Sequence, residues 1–300
     1  MSVVVGRNEA ALFIALVYFF CYSLTALYWF SGGRLSGISG LTMLVGYMFV
    51  PLIVSVLLQK LVYQKSLKEL EISPRPNRWF LVAWLLPLAL AFMTFGISLI
   101  LPGVRYSPGM EGILERYKDV LTPEQLELMK RQIADSLIHP VWIAVVEGLI
   151  AGITVNAVAG FGEELGWRGF LLKQLGYMGF WRSSLVIGVV WGFWHAPLII
   201  QGYNYPQHPI LGVFMMTIFT VLLSPIFSYV RLRAKSVVTA AIIHGTLNAT
   251  YGISIMLVKG GDDLTVGIMG LAGFMALAAI NLGLLGYDRK IAKTPVTDYL

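Results

Sequence analysis

The chain has 300 residues, of which 57% are hydrophobic and only 13% charged. A soluble domain carries roughly 25% charged residues, so this composition excludes an ordinary water-soluble protein and points to a multi-pass membrane protein. The net charge of +6 is concentrated in particular loops and does not signal nucleic acid, while the single cysteine, Cys21, excludes an intramolecular disulfide and a cysteine metal cluster.

Eight apolar stretches approach the roughly 20 residues that a helix needs to cross a bilayer. They run near 10–30, 38–61, 79–101, 141–162, 182–202, 209–230, 236–258 and 264–286. The first has too long an apolar run for a cleaved signal peptide, with only Arg7 ahead of it, and is expected to remain as an anchor. Residues 64–78 mix both charge signs and read as a connector in contact with anionic lipid. Residues 103–140 form the sizeable extramembrane segment. There Thr122 is placed as an N-cap and Pro123 in a first turn, and Leu126, Met129, Ile133 and Leu137 share a stripe of helical period. That pattern predicts an amphipathic helix lying on the membrane or capping the bundle.

Basic residues collect at 60–78, 173–182, 231–235 and 289–293. Loops rich in Lys and Arg stay in the cytoplasm, which with eight crossings puts both termini there as well. No internal repeat or low-complexity tract divides the chain, so residues 1–300 read as one transmembrane domain. The expected class is all-α: a polytopic bundle of about eight transmembrane helices around a conical polar cavity at membrane depth.

Ionisable residues at that depth are costly and mark function. Glu163 and Glu164 lie in the fourth stretch, His195 in the fifth, His244 and Asn248 in the seventh. If the fourth runs unbroken to about residue 174, a rise of 1.5 Å per residue puts Glu163 about 16 Å from its cytoplasmic end. On the same rise His195, His244 and Asn248 lie about 13–20 Å from theirs. A lone intramembrane His or Asn is usually interhelical glue worth about 1 kcal/mol, but here three helices deliver polar groups to one layer. Glu164 and Arg168 are four apart and can form an ion pair, which leaves Glu163, turned about 100° away, to face a cavity. Gly160, Gly162, Gly166 and Gly169 allow close helix contact or access for a bound chain. Glu147 is expected to line a polar cavity, and His139 and His208 to sit in solvated loops.

These residue types suit hydrolysis. A carboxylate and an imidazole can take a proton from water and return it to a leaving amine, while a second imidazole and a carboxamide can donate to an oxyanion. Glu163, His195 and His244 could instead hold zinc with an open water position, although no His-Glu-x-x-His is present.

The three motifs resemble those of the CAAX protease and bacteriocin-processing family (CPBP, or Abi) of intramembrane proteases, which includes the type II CAAX prenyl endopeptidases. The family pattern Glu-Glu-x-x-x-Arg stands here as Glu163-Glu164-Leu-Gly-Trp-Arg168, and Phe-x-x-x-His as Trp191-Gly-Phe-Trp-His195. His-x-x-x-Asn stands as His244-Gly-Thr-Leu-Asn248. Order, spacing and depth match over about 141–258, the expected protease core, and the departure is Trp191 where Phe is usual. The resemblance implies that Glu163 and His195 activate the water and that His244 and Asn248 stabilise the oxyanion. Glu164, Arg168 and Trp191 would support them. A glutamate-activated water without a cofactor is the favoured reading, and zinc its rival. The expected partners are membrane lipid and a peptide or protein substrate, which the resemblance allows to be prenylated. Two other classes compete: a proton-coupled transporter, which the lack of repeated halves counts against, and a noncatalytic scaffold or immunity protein on the same fold.

Overall fold

Where water is excluded, apolar segments can satisfy their backbone groups only internally, and these stretches accordingly fold as helices. The computed structural model describes residues 2–117 and 122–296. Helix α1 covers Ser2–Phe30, and α2, Gly37–Leu57, runs on through a π-helical turn at Leu58–Val62. Helix α3, Arg78–Ser98, starts at Asn77, whose side chain accepts from the Trp79 N–H at 3.0 Å. The same amide donates to the Ala234 carbonyl at 3.1 Å.

The extramembrane segment, described apart from residues 118–121, contains strand β1 (Arg105–Tyr106), α4 (Glu111–Tyr117) and α5 (Pro123–Asp135). The predicted start of α5 is borne out by a capping box in which Thr122 and Gln125 bond reciprocally. Leu126, Met129 and Ile133 are half-buried, but the helix stops at Asp135 and Leu137 lies outside it, fully exposed. Helix α6 (Pro140–Ile153) follows, bent by 98° from α5.

Beyond it come α7 (Val155–Glu164), a π-helical stretch (Leu165–Leu171) and the short α8 (Leu172–Leu175). The fourth stretch is therefore not one unbroken helix. It breaks at Thr154, whose φ of −116° and ψ of −106° are not helical. There the hydroxyl donates to the Ile150 carbonyl at 2.7 Å, a side-chain bond of the kind that bends helices.

The rest of the chain comprises α9 (Phe180–Trp194), α10 (Ala196–Ile199), α11 (Pro209–Ala234), α12 (Val237–Thr250) and α13 (Ile253–Met256). Strand β2 (Val258–Lys259), antiparallel to β1, and α14 (Leu271–Lys290) complete it. Among the described residues, five helices are long and apolar enough to cross a membrane, or six if the bent α5–α6 pair is one span. The protein is thus an all-α, multi-pass integral membrane protein with one small strand pair. The predicted spans that fall short are the fourth, fifth and seventh, the three that carry the polar residues: they fold as helices of 14, 10, 15 and 14 residues with breaks between.

These short helices sit at the centre. Helix α12 packs on α6, α7 and α3, α9 on α11, and α7 on α2. The α7–α12 contact needs glycine: a Cβ on Gly245 would lie 2.5 Å from the Ala157 nitrogen and 2.6 Å from the Gly152 carbonyl oxygen. A Cβ on Gly160 would come within 3.0 Å of the Ala241 carbonyl oxygen. Of the glycines named from the sequence, Gly160 thus serves helix contact, as does Gly162, where a Cβ would come within 2.9 Å of the Met48 carbonyl oxygen.

Candidate active site

Four polar side chains from three helices face one cavity of about 370 Å³: Glu163 of α7, His195 at the end of α9, and His244 and Asn248 of α12. The predicted residues are brought together. The cavity also takes in Tyr47, Asn156 and Trp191.

Glu164 is fully buried and turned away from the cavity. Both its oxygens accept from Arg168 Nη1 at 3.0 Å, as the i, i+4 spacing predicts. Its Oε1 also lies 2.8 Å from His244 Nδ1. A carboxylate paired with a guanidinium accepts, so Nδ1 of His244 carries the proton and Nε2 faces Glu163, with 3.8 Å between Nε2 and Oε1. Arg168 spends the rest of its charge on aromatic faces: its Cζ stands 4.4 Å from the Trp191 ring centroid and 5.0 Å from that of Phe227.

Trp191 ties the group together. Its indole N–H donates to Glu163 Oε2 at 2.8 Å. Its backbone carbonyl lies 2.8 Å from His195 Nδ1, and because a carbonyl can only accept, that nitrogen holds a proton and Nε2 is the open atom of the ring. The imidazole close to Glu163 is that of His244, whereas His195 is anchored to Trp191.

His195 owes its place to a break in its helix. Pro197 has no N–H to give the Phe193 carbonyl, and α9 ends at Trp194. Tyr22 of α1 donates to the freed Phe193 carbonyl at 2.7 Å, and Tyr47 of α2 to the Trp194 carbonyl. The break therefore keeps its backbone groups satisfied at membrane depth. Trp194 in turn donates to the sulfur of buried Cys21 at 3.0 Å.

Other expectations fare differently. Glu147 is exposed on α6 and lines neither this cavity nor the larger one outside it. His139 is the N-cap of α6, accepting from the Val141 N–H at 3.3 Å. His208 does sit in a solvated loop, and it is paired there: its Nδ1 lies 2.6 Å from Asp263 Oδ1. Asn156 escaped the sequence reading. It lies seven residues before Glu163 on α7, and that two-turn spacing, which puts both on one face, is the signal that could have found it.

No group of three or more His, Cys, Asp or Glu side chains among the described residues is arranged to hold a metal ion. Glu163, His195 and His244, the residues of the zinc alternative, share a cavity without being grouped there as a ligand set.

Residues 142–250 match the family model described as type II CAAX prenyl endopeptidase, Rce1-like. Over 136 residues the chain is 28% identical to CAAX prenyl protease 2 of Methanococcus maripaludis, an alignment covering 43% of this chain and 46% of that protein. The chain thus spans about half the length of this curated relative. The resemblance carried by the three motifs is borne out over the stretch that contains them all.

Proposed function

We propose that this chain, similar through its middle to type II CAAX prenyl endopeptidases, is an intramembrane endopeptidase that hydrolyses a peptide bond with a water activated by Glu163. The observation that carries the reading is the convergence of Glu163, His195, His244 and Asn248 on one cavity, with Glu164 and Arg168 paired behind it. Glu163 accepts a proton from water as the hydroxide forms its bond to the carbonyl carbon. The carbonyl π electrons move to oxygen, giving a tetrahedral oxyanion. His195, held through Nδ1, presents Nε2 to the same water. Asn248 donates its amide to the oxyanion, and His244 does so when Nε2 is protonated. As the C–N bond breaks, Glu163 returns the proton to the leaving nitrogen.

The substrate is proposed to be a lipid-anchored or membrane-bound peptide, a prenylated one being the class named by the relative. The buried setting of the carboxylate supports this, since a bond must enter the membrane layer to meet it. Glu163→Gln in purified full-length protein is expected to abolish cleavage of a membrane-tethered peptide while leaving thermal unfolding within a few degrees of wild type. Full activity in that variant would overturn the reading. Wild-type activity that persists with a chelator present is expected for a water activated without metal.

A further inference from the structure

The two ends of the bundle differ both in access and in charge. Outside the inner cavity lies a vestibule of about 730 Å³, and Tyr203, Asn204, Tyr251 and Met269 line both spaces. The vestibule is bounded by residues 33–36, by 201–207, by Arg116 of α4 and by Asp263. All lie at the end of the bundle where α1 finishes.

The end where α1 begins is laced together instead. Lys65 pairs with Glu9 at 2.9 Å, Lys173 with Glu69 at 2.5 Å, Arg231 with Glu71 at 2.5 Å and Arg233 with Asp288 at 2.5 Å. The Val237 N–H donates to the Glu71 carbonyl at 3.0 Å. This laced end holds the basic residues of 60–78, 173–182, 231–235 and 289–293, opposed among the described residues by Glu9, Glu69, Glu71 and Asp288. The open end holds fewer Lys and Arg: Arg34, Arg105, Arg116, Lys130, Arg131 and Lys259 among the described residues.

Lys and Arg near membrane spans are retained on the cytoplasmic side. We infer that the laced end is cytoplasmic, and that the vestibule opens on the opposite face of the membrane. The substrate then reaches Glu163 from outside: it is a membrane-tethered or exported polypeptide presented on the non-cytoplasmic face, and not a tail projecting from the cytosol. The substrate class rests on the protease reading above, whereas the direction of the mouth does not.

Site-directed cysteine labelling tests the direction without requiring turnover. The parent chain supplies a silent background, because Cys21 is buried. Ser36→Cys reports the mouth, Lys68→Cys the laced end and Asn248→Cys the inner cavity; all three native positions are exposed, and Ser36 makes no side-chain cap bond. In intact cells expressing the full chain, a small membrane-impermeant methanethiosulfonate is expected to modify Ser36→Cys and Asn248→Cys. Lys68→Cys should react only after permeabilisation. The reverse pattern, with Lys68→Cys modified in intact cells and the other two protected until permeabilisation, would overturn the inference. So would Asn248→Cys reacting from the side opposite Ser36→Cys. An inactive but correctly oriented protein would still give the expected pattern, so failure of the direction and failure of the protease reading are distinguishable.

Discussion

Each oxygen of Glu163 has a different neighbour: Oε2 receives the Trp191 indole N–H at 2.8 Å, and Oε1 faces His244 Nε2 at 3.8 Å. One oxygen is thereby oriented and the other left for a water. A phenylalanine at 191 would keep a ring face for Arg168 but could not make the indole bond. A hydrogen bond to a charged group contributes about 1.5–3 kcal/mol. Trp191→Phe is therefore expected to lower stability by an amount of that order and, by leaving the base unoriented, to lower kcat by about 10-fold or more with little change in KM; wild-type kcat would show that the bond does not orient the base. Part of this site was legible in the sequence. Four-residue spacing made the Glu164–Arg168 pair visible, because one helix contains both partners. The His244–Glu164 bond and the Trp191 N–H were not visible, since both cross between helices whose rotation no local pattern fixes.

The three site-bearing segments are the ones in which regular helix gives way. Length and hydropathy showed them as ordinary spans, because an apolar count is blind to a break. Pro197 carries a sign of one break, although the expected fifth span of 182–202 runs straight through it, whereas Thr154, a hydroxyl among apolar residues, gives no comparable sign. What replaces continuity is close contact between short helices, and α12 is seated against α6 and α7 through Gly245. The atoms that a Cβ would meet there, the Ala157 nitrogen and the Asn156 carbonyl carbon among them, belong to the backbone and cannot rotate aside. Gly245→Ala is thus expected to destabilise the protein by about 1–3 kcal/mol. It should also reduce cleavage by shifting the neighbouring His244, both effects being readable from detergent-solubilised protein by thermal unfolding and peptide cleavage. An alanine variant with wild-type stability would mean that α12 can move outward freely.

Across the molecule, the loop before α11 is fastened to the turn before α14 at the vestibule rim. The Gln207 N–H donates to Asp263 Oδ2 at 2.8 Å, the Asp263 N–H donates to Gln207 Oε1 at 3.0 Å, and His208 completes the clasp. The hydrogen bond to Asp263, aided by its charge, holds the His208 pKa above the ordinary value of 6.5. A pKa raised by folding adds stability that is fully present below the unfolded value and lost as pH rises through the folded one. The difference in unfolding temperature between wild type and His208→Gln is therefore expected to be largest below about pH 6.5 and to shrink on the alkaline side. A difference independent of pH would remove the charge from the clasp.

The tyrosine hydroxyls that support the broken α9 come from α1 and α2, outside the stretch that the family model matches. Mending the break would therefore be harmful. An alanine at 197 would offer Phe193 the backbone partner it lacks, set the Tyr22 hydroxyl in competition for that carbonyl, and draw His195 onto a continuing helical path. In this protein a more regular helix is the poorer one, and the first two helices act as the splint that keeps a useful fracture from healing.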